Sequence, residues 1–500
     1  MVDAATDRAP LLFKRLIEGT VLYSVALFAQ RVAGLILLPV NTHFLSPGDY
    51  GVLDLLEQVG VVIGVLIGLN ISAALGYFYF RQESPESRDK VVATILAGAT
   101  LMGAAAGLAG AVFAGPIGRL VFSRPGYQGY LLFVFASLPL GALLEALFTW
   151  VRVTDRPAVY AWTSLLRVGI TVVMTVTLVG FFRLRIIGVL TSSFVAMLGP
   201  VLFLGYYCLR RMRLTFDLPT FVAAFRFSFP LGLGTIAMFV INFGDRFFLS
   251  HYKTLTEVGI YAVAYKIGML MSLVHGSFHT YWYSQVYAVA RRDDADYVIA
   301  RIFTYMMLAL SFTLVALIVV CRPAVAVLVT RPGFETAAFV APVIVLAYYA
   351  RAIGDFFRCF LLVAGRSTYD AACNWIGAVI CLAAYFILIP RYGMWGAAAA
   401  TLLTFLVIAV VSAIWSYRIR PFRVEGARLF MIGAVSAVLL GLHFLIAVQT
   451  IVMQIAWAVL LTAAFPALLW VLPFARPGEV LKLQSLVRTA LDRSRRVLGG

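Results

Sequence analysis

Residues 227–268 read FSFPLGLGTIAMFVINFGDRFFLSHYKTLTEVGIYAVAYKIG. Two apolar runs, 229–250 and the start of 258–287, flank a short polar connector, and Asp245, Arg246 and Lys266 lie inside these runs. About 20 consecutive apolar residues suffice to cross a bilayer as a helix. A charge at the bilayer centre costs about 3 kcal/mol or more, so such residues usually face a cavity or a partner. The stretch therefore predicts two membrane spans that carry functional or paired charges.

The composition of the whole chain extends this prediction to all of it. Of 500 residues, 62% are hydrophobic and 13% charged, and the mean hydropathy is +0.95. This apolar excess is more than one soluble core can bury, and the chain lacks the apolar–polar alternation of a membrane barrel. We therefore expect an all-α, multi-pass membrane protein. The first apolar run is too long for the core of a signal peptide and indicates an anchor.

Apolar runs of span length recur along the sequence with short polar connectors between them. We predict fourteen spans, with these approximate limits: 16–43, 52–79, 90–113, 128–151, 159–181, 187–209, 229–250, 258–287, 298–321, 338–363, 369–390, 393–416, 426–447 and 451–474. With a cytoplasmic N-terminus, Lys and Arg in the inside segments outnumber those in the outside loops by more than three to one. The positive-inside rule therefore predicts that both termini are cytoplasmic. It also explains most of the net charge of +17 without nucleic acid.

An internal repeat divides the first twelve spans into two halves. Residues 44–60 (FLSPGDYGVLDLLEQVG) resemble residues 248–268, and the alignment pairs Gly51 with Gly259 and Gly60 with Gly268. Six spans separate the copies, so we expect two parallel six-helix lobes. The predicted organisation is as follows: N-lobe 1–209, amphipathic cytoplasmic linker 210–228, C-lobe 229–416, two further spans within 417–474, and a basic amphipathic cytoplasmic tail 475–500.

Cations within the spans are the candidate functional residues. Arg31, Lys266 and Arg351 lie deepest, and we predict that they line a path for an anionic cargo. The pair Asp245–Arg246 lies near the outer end of its span, where it could close an outer gate or contact cargo. Two further arginines, at 167 and 358, could snorkel toward the cytoplasm or brace neighbouring helices.

Acidic and histidine side chains within the spans are candidates for gating or ion coupling. Asp355 follows Arg351 by four residues and precedes Arg358 by three, so it can neutralise one of them and leave one net positive charge. Glu57 and Glu145 could carry a coupling proton or act as hydrogen-bond partners in helix packing. His275 and His279 share a helix face as a candidate proton site. Lys266 would lie on roughly the opposite face of one straight helix. Neither the histidines nor the five cysteines show metal-ligand spacing.

Two stretches of the sequence, 38–60 and 227–268, resemble the polysaccharide-exporting branch of the MOP superfamily, the Wzx-type flippases of O-antigen and other lipid-linked oligosaccharides. The proline that opens the seventh span, the Asp-Arg pair before FLS and the turn EVGIY carry the resemblance. It implies a MATE-like fold of two six-helix lobes around a central cationic cavity in the bacterial inner membrane. It also implies an undecaprenyl-diphosphate-linked glycan as cargo, and Arg31, Arg246 and Lys266 as cavity cations.

The physics of the cargo agrees with this resemblance. Sugar hydroxyls cannot cross hydrocarbon unaided, whereas a cationic cavity can hold a diphosphate and its glycan while the polyprenyl tail remains among membrane lipids. We therefore expect a transporter that functions in polysaccharide or lipopolysaccharide biosynthesis, without a cofactor, with H⁺ or Na⁺ as candidate coupling ions. A polysaccharide polymerase is a further candidate partner.

Three alternatives remain open at this stage. A cation-coupled multidrug exporter of the same fold is the first, although its cargo is usually cationic. A membrane glycosyltransferase or polymerase is the second, but the sequence shows neither an enzyme signature nor a large outer loop with paired acids. A scaffold for envelope assembly is the third, and it would make the buried cations purely structural.

Overall fold

The computed structural model describes residues 9–66, 71–212, 215–446, 448–472 and 474. The predicted basic tail lies outside the described residues. Ser24 and Arg31 lie in the first helix, but their side chains are outside the described part of the molecule. The predicted role of Arg31 therefore stays a prediction.

Within these ranges the regular structure is entirely helical. The α-helices, in chain order, are α1 (Ala9–Phe44), α2 (Pro47–Leu66), α3 (Ile71–Phe80), α4 (Pro85–Val112), α5 (Ala114–Phe122), α6 (Gln128–Val153), α7 (Pro157–Thr175), α8 (Arg185–Leu209), α9 (Leu218–Tyr252), α10 (Leu255–Gly268), α11 (Met271–Val289), α12 (Ala295–Leu328), α13 (Ala337–Val363), α14 (Ser367–Tyr392), α15 (Met394–Ile419), α16 (Gly426–Leu445) and α17 (Ile451–Val471). A π-helical turn, Val176–Phe181, extends α7. No strand occurs in the described ranges.

The predicted spans fall on these helices, but their number is not confirmed. Among the described residues, 10 helices are long and apolar enough to cross a membrane, or 11 if the bent pair α10–α11 is one span. Many large apolar side chains are exposed, including Trp162 (73%) and Trp470 (72%). Such a surface is stable in lipid, where exposed apolar groups are already in an apolar medium. The fourteen-span topology stays a prediction.

The eighth predicted span is not one straight helix. It consists of α10 and α11, whose axes differ by 45° across a short break. The geometry that assigned Lys266 and the two histidines to opposite faces of one helix is therefore wrong, because a bend resets the helical phase between the segments. In the second predicted span the described residues form α2 and α3, and residues 67–70 lie outside the described part of the chain.

Helix α9 begins at Leu218, inside the predicted linker 210–228, and the linker assignment stays a prediction. Asp217 caps this helix by accepting a hydrogen bond from the Thr220 amide, and Pro219 stands in the first turn, where a missing N–H costs nothing. Lys90 of α4 lies 2.7 Å from the Asp217 carboxylate. Hydrogen bonds, chiefly from Lys90 and then Thr220, lower the pKa of Asp217 to about 2. The cap thus fixes the start of α9, and the ion pair connects it to α4.

The described chain forms two compact units. Unit 1 contains Met1–Lys266, Val327–Val340 and Asn374–Thr404. Its helices approach closely where glycine replaces larger residues: a Cβ on Gly107 of α4 would lie 2.5 Å from the Phe135 carbonyl oxygen of α6. Small residues at such contacts let membrane helices pack backbone to backbone.

Unit 2 contains Ile267–Ala326, Ala341–Cys373 and Phe405–Gly500. Part of its core joins α12 to the C-terminal helices α16 and α17, with Val315 and Val319 packed among Ile432, Leu461 and Phe465. The last two helices are therefore packed onto the rest of unit 2. The division into an N-lobe and a C-lobe drawn from the sequence stays a prediction.

Candidate functional site

A polar cavity of about 490 Å³ lies within unit 1. Helices α1, α2, α6, α7, α8 and α10 contribute its walls, and its ionisable side chains are Asp54, Glu57, Arg167 and Lys266. The volume falls within the range of small-molecule sites, roughly 300–1,000 Å³. Its polar neutral lining includes Asn41, Tyr50, Ser137, Thr171 and Ser193. A cavity with this lining can bind a polar group that carries charge.

Helix α2 supplies the main charged face of this cavity. Tyr50, Asp54 and Glu57 follow spacings of four and three residues, so one helical face presents all three. Glu57 is exposed to the cavity, whereas Tyr50 is buried. The prediction that Glu57 is a coupling candidate stays open, but its position on the wall of a polar cavity agrees with it.

Lys266 reaches this face from the end of α10. Its Nζ donates a hydrogen bond of 2.6 Å to the Tyr50 hydroxyl and lies 5.0 Å from the centre of the tyrosine ring. Glu57 and Asp54 contribute further electrostatic attraction. The sequence analysis selected Lys266 as a cavity cation, and the structure places it on the cavity wall. Its partner Tyr50 carried no sequence signal, because the two residues are 216 positions apart.

Arg246 occupies a different position from Lys266. Its side chain is 3% exposed and does not line the cavity. Its Nε lies 2.7 Å from Asp54 Oδ2, and its Nη1 lies 2.9 Å from Asp245 Oδ1. The guanidinium also lies 4.2 Å from the centre of the Tyr265 ring. Arg246 thus joins α9 to α2 between two carboxylates, an arrangement that favours the gate-pair interpretation over direct cargo contact.

Arg167 is a cavity residue that the sequence analysis expected to snorkel toward the cytoplasm or to brace neighbouring helices. It lies on α7 and lines the cavity together with Thr171, one turn further along. Glu145, a predicted coupling candidate on α6, interacts with it electrostatically and forms an ion pair of 3.0 Å with Arg152. The described cavity therefore contains both signs of charge, whereas the resemblance named only cationic residues.

A second charged cluster lies in unit 2. It includes four residues that the sequence analysis selected as cargo or coupling candidates, Arg351, Asp355, His275 and His279, together with Arg358. Asp355 Oδ2 lies 3.6 Å from Arg351 Nε and 3.6 Å from His275 Nε2, while Oδ1 lies 3.4 Å from Arg358 Nη1. The ring of His279 lies 5.5 Å from that of His275. The sequence spacing predicted that Arg351, Asp355 and Arg358 share one helix face, but not that the histidines lie beside them.

The charge balance of this cluster was predicted incorrectly. The sequence analysis expected one arginine to remain uncompensated, but Arg358 Nε lies 2.6 Å from Asp370 Oδ1 on α14. Asp355 also contacts both arginines rather than one. Two arginines and two carboxylates therefore cancel. In the described part of the chain, no group of three or more Cys, His, Asp or Glu is arranged to hold a metal ion.

The chain is similar to a known protein family and to several solved structures. A family profile described as polysaccharide biosynthesis protein matches residues 16–283, more than half of the chain. A search of curated proteins gives no significant match. Among solved structures, the lipid II flippase MurJ in an inward closed conformation superposes with a TM-score of 0.71 and 16% identity, over 90% of this chain and 99% of that one.

Two further solved structures share the fold. An inward-facing multidrug resistance MATE family transporter of the MOP superfamily has a TM-score of 0.61 and 16% identity, over 83% of this chain and 99% of that one. A MOP superfamily transporter from Pyrococcus furiosus has a TM-score of 0.56 and 13% identity, over 84% and 96%. These likenesses confirm the predicted all-helical, MATE-like fold. Because the profile matches more than half of the chain, the chain belongs to the polysaccharide biosynthesis protein family.

Proposed function

We propose that this multi-pass membrane transporter is a flippase for undecaprenyl-diphosphate-linked oligosaccharides. It would carry the saccharide head group from the cytoplasmic to the outer leaflet of the bacterial inner membrane by alternating access, with both termini in the cytoplasm. The observation that supports this most is the family match, because the matched range 16–283 contains every residue that lines the polar cavity.

The charged lining supports a head group that combines anionic phosphates with hydroxyl-rich sugars. Lys266 and Arg167 offer charged donors that phosphate oxygens accept. Carboxylates at Asp54 and Glu57, together with the Asn41 side chain, offer acceptors for sugar hydroxyls. The proposed coupling ion is H⁺ or Na⁺, with Glu57, Glu145, Asp355, His275 and His279 as candidate sites.

Translocation in proteoliposomes tests this proposal. The intact chain is compared with Arg31→Ala and Lys266→Ala, using a polyprenyl-diphosphate-linked oligosaccharide whose head group can be detected in the opposite leaflet. Lys253→Ala, which removes a lysine outside the cavity lining, is the matched control. We expect protein-dependent movement that both cavity variants reduce and the control retains. No movement above empty liposomes under proton and sodium gradients alike would contradict the proposal.

A multidrug exporter is the second candidate, and one observation favours it: two carboxylates line the cavity, where a cationic drug could pair with them. The same proteoliposomes loaded with a fluorescent lipophilic cation distinguish the two functions. Gradient-driven movement of that cation, without movement of the lipid-linked saccharide, would select the exporter.

A further inference from the structure

Helices α2 and α10 cross with their backbones in contact near their N-terminal ends. A Cβ on Gly51 would lie 2.1 Å from the Leu255 carbonyl oxygen, and one on Gly259 would lie 1.8 Å from that of Pro47. Real Cβ atoms do not approach an oxygen so closely, so any larger residue must push the helices apart. In the sequence repeat, Gly51 and Gly259 are equivalent positions. We call this contact the glycine crossing.

Two polar contacts lie beside the crossing, one between the same two helices and one between α2 and α9. Lys266, seven residues and about two turns beyond Gly259 on one helical face, donates its hydrogen bond to Tyr50, the residue before Gly51. Arg246 bonds to Asp54, one turn further along α2. Tyr50 is only 3% exposed, and its ring packs edge-on against Phe334. The tyrosine hydroxyl is therefore held in place, whereas the lysine extends from the cavity wall.

We propose that Lys266 is a switch through which cargo binding opens the glycine crossing. In the described state its ammonium is bonded to Tyr50 and holds α10 against α2. A phosphate group in the cavity competes for the same ammonium, because its anionic oxygens attract that cation more strongly than a neutral hydroxyl does. The phosphate thereby breaks the tie between the helices. This inference rests on the proposed function, because the competing ligand is the diphosphate of the cargo.

The second tie can also break without leaving a buried charge alone. When α2 moves away, Arg246 loses Asp54 but retains Asp245, its neighbour on α9, at 2.9 Å. Asp54 lines the cavity, so it becomes hydrated rather than stranded. On the predicted topology the crossing lies at the outer face. Its release would therefore open the cavity outward after cargo binds, as directional transport requires.

Reaction of a cavity cysteine with a membrane-impermeant maleimide measures this opening. Ser137→Cys on the cavity wall is introduced into the full chain with its five native cysteines replaced by serine, and the reagent is added outside right-side-out proteoliposomes. Without cargo, we expect Tyr50→Phe to react about ten-fold faster than the parent, which corresponds to about 1.4 kcal/mol, close to one hydrogen bond to a charged group.

Variants at the glycine crossing provide a second measurement of this opening. Gly51→Ala forces a contact with the Leu255 backbone and should react at least as fast as Tyr50→Phe. Gly48→Ala is the matched control, because its Cβ would meet only Thr256 Oγ1 at 3.7 Å and Ser46 Oγ at 3.9 Å. It should react at the parent rate. If Tyr50→Phe also reacts at the parent rate, the hydrogen bond from Lys266 to Tyr50 does not hold the glycine crossing closed and the inference is wrong.

Added ligand tests the switch itself. A polyprenyl-diphosphate-linked disaccharide should accelerate labelling of the parent but not further accelerate Tyr50→Phe, whereas phosphatidylglycerol at the same concentration should not accelerate either. Equal acceleration by phosphatidylglycerol, or none by the disaccharide lipid, would overturn the switch. Translocation is measured on the same vesicles. Normal translocation with no labelling change refutes this inference alone, and absence of translocation refutes the proposed function.

Discussion

The two charged clusters of this protein are near mirror images in charge. In unit 1, one cation, Arg246, lies between the carboxylates of Asp54 and Asp245. In unit 2, one anion, Asp355, lies between Arg351 and Arg358. Their environments differ as well: the Arg246 side chain is 3% exposed, whereas that of Arg351 is 26% exposed.

This difference shows that a charge within an apolar span has two possible uses. A fully enclosed, fully paired cation such as Arg246 holds helices together, and its removal leaves partners without compensation. A partly exposed one such as Arg351 retains access to solvent or ligand and can exchange partners. Burial and pairing, rather than depth along the span, therefore separate structural from functional charges. Each prediction below tests one side of that distinction.

The largest effect is expected from removing the enclosed cation. Arg246→Met removes the counter-charge of Asp54 and of the fully buried Asp245, and breaking a buried ion pair in this way costs about 3–5 kcal/mol. We expect a large fall in melting temperature in detergent and a low folded yield. Adding Asp54→Asn to Arg246→Met should recover part of the lost stability, because Asp245 is then the one carboxylate of the pair that remains uncompensated. A single variant that melts like the parent would show that this cluster is not structural.

A smaller loss of stability is expected when the shared anion of the cluster in unit 2 is removed. Asp355→Asn removes the shared anion, but Arg358 retains Asp370, so we expect a loss of about 2 kcal/mol in the free energy of unfolding. The control is Asp294→Asn, which breaks an exposed pair with Arg292 and should leave the stability close to that of the parent. Equal losses in both variants would remove the distinction between buried and exposed pairs.

The accessible cation should affect transport more than stability. Arg351→Met removes a partly exposed charge, so the free energy of unfolding should change by no more than about 1 kcal/mol. If Arg351 contacts cargo, the initial rate of translocation should fall about ten-fold, the effect of losing about 1.4 kcal/mol of binding. Arg366→Met, at an exposed arginine, controls for the change in net charge. Unchanged translocation would assign Arg351 to the structural class.

The smallest effect concerns an ion pair outside the spans. The folded-state pKa of Asp217 is about 2, below its usual value of 3.8. Its carboxylate therefore stabilises the fold at neutral pH, and this contribution disappears as the pH falls from about 4 to about 2. Asp217→Asn, which keeps a capping side chain, should lower the melting temperature slightly at neutral pH. The difference in melting temperature between this variant and the parent should disappear at acidic pH. A difference that stays constant with pH would exclude the charge of Asp217 as its cause.

Local features of the sequence predicted the apolar helices and the grouping of Arg351, Asp355 and Arg358. Both depend on residues close together in the chain, because span length and helical periodicity are local properties. The sequence repeat likewise identified Gly51 and Gly259 as equivalent positions before any contact between them was known.

Contacts between distant segments could not be predicted in the same way. Tyr50 as the partner of Lys266 and Asp54 as the partner of Arg246 depend on which helices become neighbours. Asp370 was missed for the same reason, although it follows Arg358 by only 12 residues, because a turn separates α13 from α14. The bend between α10 and α11 contains no proline, the common cause of a kink, and it was therefore not predicted.

The glycine crossing also bears on the origin of the chain. Contact between two equivalent residues is what a two-fold axis produces when identical subunits form an isologous dimer. Here Gly51 and Gly259 make that contact within one polypeptide, as two separate copies of an ancestral half would have done across a symmetric interface. Fusion of the copies would have freed each side to diverge, so that a tyrosine on one helix could meet a lysine on the other.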